Sequence, residues 1–263
     1  MDFSVNKMLH KFEKRKLLER PLSLIVIFFL GVISILGCSG GNDESVPTQD
    51  PTGIWSGSYF YLNPASTIVY TISGIVWDGR WMLFYDGIYS PAEDRLWEGY
   101  PVVTGSSMEW DFRFYRNYNY ESASYHYGAV YTKNLLEGEP YPNNYLSVGF
   151  SMNYSPLLTE AGAALSYIDG NWSDEEQNGL ITTLSVNLDG TVSGSDTNGC
   201  VYNGMIEVPD RNINIYKLNV DLSICGDVDG LYSGLGYTST DRNLFRFTLS
   251  NSGHFIHLTL TRV

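Results

Sequence analysis

The chain has 263 residues, and its 16 Lys and Arg stand against 29 Asp and Glu, a net charge of −13. So acidic a surface repels a phosphate backbone, which excludes nucleic acid as a partner. It also offers no basic patch to anionic lipid headgroups.

The first element is a leader. Lys7, Lys11, Lys14, Arg15, Lys16 and Arg20 precede an almost unbroken apolar run from Leu22 to Leu36, which ends in Ile35-Leu36-Gly37-Cys38-Ser39. A basic segment, an apolar core and a small residue before the cut make a secretory signal peptide over residues 1–37. The apolar run is shorter than the ~20 residues a spanning helix prefers. With Cys38 directly after Gly37, the segment resembles the lipobox of bacterial lipoproteins. That resemblance implies diacylglycerol on the Cys38 sulfur, cleavage before it, and an acylated (palmitate-type) amino terminus. Several acyl chains exceed the two signals needed for stable membrane attachment. It also implies sorting to the outer membrane of the cell envelope, because Ser39 stands where an aspartate would retain the protein at the inner membrane. Cleavage leaves 226 residues with a net charge of −16.

Residues 38–52 are rich in Gly, Asn, Asp, Ser, Pro and Thr, and read as a flexible tether. From Gly53 the apolar period is two. Met108, Trp110, Phe112 and Phe114 alternate with Glu109, Asp111 and Arg113. Leu146, Val148, Phe150, Met152 and Tyr154 alternate with Ser147, Gly149, Ser151 and Asn153; Tyr216, Leu218, Val220, Leu222 and Ile224 alternate with Lys217, Asn219, Asp221 and Ser223; and Phe245, Phe247 and Leu249 alternate with Arg246 and Thr248. Turn pairs punctuate these runs: Asp78-Gly79, Asp86-Gly87, Asp189-Gly190, Asn198-Gly199, Asn203-Gly204, Asp229-Gly230 and Ser252-Gly253. The pattern predicts an all-β protein of two tandem antiparallel β-barrel or β-sandwich domains, 53–154 and 170–263. The linker, 155–169, holds a helical candidate from Pro156 to Tyr167, with Ser155 placed to cap it.

A weak internal repeat frames that linker. Gly53-Ile54-Trp55-Ser56 opens one half and Gly170-Asn171-Trp172-Ser173 the other, each followed by alternating strands and an Asp-Gly hairpin signal. Gly-x-Trp at a first strand resembles the opening of lipocalins and related up-and-down barrels. The resemblance implies that Trp55 and Trp172 close one end of each barrel, with Arg262 beside Trp172 in the second; the first half shows no equivalent arginine. The string Gly190 to Gly204, with Cys225 and Gly230 to Gly236, is similar to a group of uncharacterised two-domain outer-membrane lipoproteins of Gram-negative bacteria. That likeness implies architecture and location, not activity. With Cys38 lipidated, Cys200 and Cys225 remain as an even pair in an oxidising compartment. They predict a disulfide worth ~3 kcal/mol.

Chemistry is harder to find. No Gly-x-Ser-x-Gly elbow, reactive cysteine or His-acid motif supports a catalytic residue. Glu93, Asp94, Glu98, Glu109 and Asp111 crowd one region, and in so acidic a chain they read as solubilising surface. His254 and His257 are three apart, on opposite faces of a strand, and no further metal ligand stands near them; His126 reads as solvent-facing. Asp227-Val228-Asp229-Gly230 is too short for a calcium loop and reads as a turn. The sequence predicts no enzyme, no metal and no cofactor. Tyr115, Tyr118, Tyr120, Tyr125 and Tyr127, among Asn117, Asn119 and Arg116, suggest a binding surface of flat rings with polar tips. The expected role is a non-catalytic interaction or structural module, with an envelope protein as partner. The alternative is lipocalin-like capture of a small apolar or glycan ligand, and a hydrolase is a remote third.

Overall fold

Strands that alternate apolar and polar side chains bury one face, and such strands pair antiparallel. The computed structural model describes residues 50–263 other than 64–65, 86–94, 118, 133, 141–146 and 177–178, and its strands all lie in one compact unit, Val46–Val263. The first half carries β1 (Gly53–Asn63), β2 (Ser66–Trp77), β3 (Arg80–Tyr85), β4 (Arg95–Gly99), β5 (Val102–Thr104), β6 (Ser107–Arg116), β7 (Asn119–Thr132), β8 (Leu135–Pro140) and β9 (Ser147–Tyr154). They form one sheet, β4-β3-β2-β1-β9-β8-β7-β6-β5, which closes on itself because β4 also pairs with β6. Strand β5 is not an extra stave. Gly99 pairs with Phe112 and Val102 with Glu109, so β5 continues β4 in the same register after a break at Tyr100-Pro101. Proline has no N–H to donate to a ladder, which accounts for the break.

The second half is a closed barrel of eight strands. These are β10 (Gly170–Glu175), β11 (Ile181–Val186), β12 (Thr191–Asp196), β13 (Val201–Glu207), β14 (Tyr216–Ser223), β15 (Gly230–Thr238), β16 (Leu244–Ser250) and β17 (Phe255–Arg262). The barrel alternative of the sequence pattern is therefore the one adopted. The turn signals divide. Asp78 (φ 51°) and Gly79 (φ 73°) form the two-residue hairpin between the paired Trp77 and Arg80, where both residues need positive φ. Asn203-Gly204, in contrast, lies inside β13. A Cβ on Gly204 would sit 2.2 Å from the Asn219 carbonyl oxygen, so this glycine serves close approach of neighbouring strands rather than a turn.

The linker also differs from its reading. It holds two four-residue helical turns, Pro156–Thr159 and Leu165–Ile168, with Gly162 at φ 71° between them. Ser155 makes no side-chain cap; its hydroxyl faces that of Ser56 at 3.2 Å.

Two clusters of buried side chains fill the barrels, and a third lies between them. In the third, Ile54, Ile75, Met82, Phe84, Leu96 and Tyr115 of the first barrel meet Ile215, Leu235, Tyr237 and Phe255 of the second. This contact explains strands that break the alternation. Residues 81–84 (Trp-Met-Leu-Phe) and all of β4 are buried, one face inside the barrel and the other against its neighbour. The contact fixes which ends lie together. At one end Thr159 accepts the Ile54 N–H on its hydroxyl (2.9 Å) and the Asn214 N–H on its carbonyl (2.8 Å). At the other, the Tyr120 N–H donates to the Gly253 carbonyl at 2.7 Å. The chain enters β1 and crosses the linker at the Thr159 end. Connections 197–200, 224–229 and 251–254 lie at the opposite end of the second barrel, as strand direction requires.

Candidate functional site

The barrel interiors come first, because a cavity there would define a ligand site. In the second barrel Trp172, Tyr216, Tyr232, Phe245 and Phe247 are all buried to 2% exposure or less. The void lined by Leu184, Val186, Val192, Tyr202, Ile206 and their neighbours is about 10 Å³, at the lower limit for one water. In the first barrel the void among Tyr59, Ile72, Leu83, Trp97, Phe112 and Phe150 is also about 10 Å³. Among the described residues, large aromatic side chains line both spaces.

The two Gly-x-Trp openings are built alike. Gly53 and Gly170 both have positive φ, 144° and 120°. Each tryptophan donates its indole N–H to the carbonyl four residues earlier: Trp55 to Pro51 (3.0 Å) and Trp172 to Ile168 (2.8 Å). Arg262 lies over the Trp172 ring at 4.4 Å and is its backbone partner in the ladder that completes the ring. Its guanidinium also donates to the Asp169 and Tyr167 carbonyls at 2.6 Å each. In the first barrel Tyr154 holds the matching register position opposite Trp55, edge-on with centroids 5.5 Å apart.

Cys200 and Cys225 form the disulfide that the cysteine count requires. Each half-cystine backbone is held by an aspartate. Asp196 accepts the Cys200 N–H at 3.1 Å and Asp229 accepts the Cys225 N–H at 2.6 Å. Asp196 also accepts from Asn198 N–H (2.8 Å) and lies 3.4 Å from the Tyr202 hydroxyl. Burial pushes the Tyr202 phenol up to about 12, helped by the Asp196 charge. Among the described residues no group of three His, Cys, Asp or Glu is arranged to hold a metal ion.

Ile224 corrects the alternation. It is not the last inward residue of β14, which ends at Ser223; it stands on the connection to β15 at φ 62°, 73% exposed.

The tyrosine surface is also altered. Tyr115 is fully buried between the barrels, its hydroxyl donating to the Asn251 carbonyl at 2.8 Å and its ring edge-on to Phe255. Burial, with Glu98 nearby, pushes its phenol up to about 12. Phe112 and Phe114 face the barrel interior, so Tyr115 falls on the outer face by ordinary strand alternation, and it leaves the exposed set because the second barrel packs against that face. Tyr120 is exposed. Tyr118 lies outside the described residues. Tyr125 and Tyr127 are placed on β7 opposite Phe112 and Trp110, and their side chains lie outside the described set. Cys38 lies outside it too.

Glu98 is likewise not solubilising surface. It is 6% exposed and faces Arg80, whose Nη2 lies 2.6 Å from Oε1. Arg80 crosses to the second barrel, donating to the Ser233 carbonyl (3.1 Å) and the Ser250 hydroxyl (3.1 Å), while Ser250 donates to Glu98 Oε2 at 2.6 Å. His257 joins the same face: its ring stacks on Phe84 at 4.4 Å and its Nδ1 bonds the Thr248 hydroxyl at 2.8 Å. Residues so far apart in sequence gave no motif. The unbroken apolar run at 81–84 was the available signal for a strand buried on both faces.

These features define a tandem antiparallel β-barrel protein with a joined pair of barrel walls. No family model matches the chain, and no curated protein matches it. Among solved structures it is similar to the isotype 1 transferrin binding protein B (TbpB) from serogroup B Neisseria meningitidis, at 10% identity and a TM-score of 0.29. The match covers 80% of this chain and 63% of that one, so the chain spans less than two thirds of its length.

Proposed function

We propose that this chain is a lipid-anchored protein of the bacterial cell envelope, held through Cys38, whose barrels act as a rigid, non-catalytic interaction module. The observation that carries the reading is the packing. Among the described residues, aromatic side chains line both barrel interiors around voids of about 10 Å³, which favours contacts made on the outer surface. The anchor half of the reading rests on the leader and Cys38. The linker supports the rigid half: Thr159 bonds both barrels, and the Arg242 guanidinium donates to the Ala161 and Gly162 carbonyls and lies 4.4 Å over the Tyr167 ring. Mass spectrometry tests each half. Full-length protein from a bacterial envelope should carry a diacylglyceryl mass on Cys38 that Cys38→Ser removes. The soluble Ser39–Val263 chain should show a bare mass, two daltons light for one disulfide. A reproducible extra mass lost on denaturation would instead mean a captured ligand.

A further inference from the structure

We infer that the corner of the second barrel formed by Ser223, Ile224 and Leu231 is a docking tip for a protein partner that offers an apolar socket rimmed by Lys and Arg. Two large apolar side chains stand out there, Ile224 at 73% and Leu231 at 77% exposure. They flank the end of one strand: Leu231 pairs with Asp221, and Ile224 follows Ser223, whose cross-strand partner is half-buried Val201. Isoleucine is branched at Cβ and strongly disfavours positive φ, yet Ile224 has φ 62°. The Cys200–Cys225 disulfide and the Asp229 carboxylate bonded to Cys225 N–H hold the next residue in place, so the exposed side chain is presented on a braced loop.

Charge selects the occupant. Asp221, Asp227 and Asp229 are exposed around the apolar pair. The described segments that build this end of the barrel, 174–176, 179–182, 195–203, 219–231 and 250–255, contain no Lys or Arg. A second copy of this chain would bring like charge to like charge, and an anionic lipid surface would do the same. A basic rim around an apolar socket complements the corner on both counts. The tip lies at the end of the barrel opposite the Thr159 linker and the start of β1. The chemistry of the tip does not depend on the lipid-anchor reading.

Photo-cross-linking in cells tests this. Benzoylphenylalanine is placed at Leu231, or at the comparably exposed Leu188 (63%) on the opposite end, in the full-length chain expressed in its native host. Membranes are then separated and adducts identified by mass spectrometry. The expected result is one discrete protein adduct at 231 and none at 188, with Lys or Arg beside the linked residue of the partner. The purified partner should then bind Leu231→Asp about ten-fold or more weakly, Leu188→Asp unchanged, and the unaltered chain more weakly in 0.5 M NaCl. No adduct at 231, the same adducts at both positions, a lipid or second-copy adduct, or salt-independent binding would each overturn the docking tip. A chain found outside the membrane fraction would overturn the anchor reading alone.

Discussion

Arg262 lies 4.4 Å over the ring of Trp172, and the two are backbone partners across the seam that closes the second barrel. The same guanidinium takes two linker carbonyls, so one side chain ties the last strand, the first strand and the linker together. Arg262→Ala should lower stability by about 2 kcal/mol, from a cation–π contact and hydrogen bonds to a charged group. Arg262→Lys should recover only part of this, since an ammonium lacks the planar fork. Thermal denaturation of both variants measures the difference.

Removing the disulfide by Cys200→Ser with Cys225→Ser should cost ~3 kcal/mol for a bridge spanning 25 residues. Asp229→Ala leaves the bridge in place but orphans the Cys225 N–H, and should cost ~1 kcal/mol. Denaturant melts with and without reductant would separate the two effects.

Glu98→Ala leaves Arg80 facing the barrel contact without its carboxylate and Ser250 without its acceptor. The expected loss is about 3–5 kcal/mol, as for removal of one partner of a buried pair. Calorimetry should show the loss as poorer coupling of the barrels, with one transition separating into two.

Tyr115 is raised to about 12 by burial, against 10.0 for an ordinary tyrosine. The unfolded chain therefore ionises first, and stability that is fully present below pH 10 is lost as pH rises toward 12. Tyr115→Phe should weaken that alkaline dependence while costing ~1 kcal/mol near neutrality through the lost bond to Asn251. Melts from pH 8 to 12 would check both signs.

Asp174 sits where the β10–β17 pairing has ended, and its carboxylate accepts the Thr259 N–H at 2.9 Å in place of a ladder bond. Burial raises its pKa above 3.8, opposed by that hydrogen bond. The folded state thus holds the proton more tightly, and stability falls as pH rises through the window above 3.8. Asp174→Asn keeps an acceptor for Thr259 without the charge. It should melt higher than the parent at pH 7, with the gap closing as pH falls below 4.

The sequence by itself determined the strands, their antiparallel pairing and several hairpins. Period-two alternation says which face is buried, and Asp78-Gly79 says where a chain can reverse, because both signals act within a few residues. It also determined that Cys200 and Cys225 pair, once Cys38 is assigned to lipid, and that the two halves open on the same Gly-x-Trp pattern. The tertiary structure decided what lies between the barrels. Glu98 and Tyr115 read as surface because each sits on a strand whose second face would ordinarily meet water. Only the packing of the second barrel against that face buries them. Ile224 read as an inward residue for the opposite reason: the parity of β14 extends to it, but the strand ends one residue sooner, at the turn leading into the disulfide. Tyr154 stands where the second barrel has Arg262, and no pattern could announce it, since the positions correspond through strand register rather than residue type.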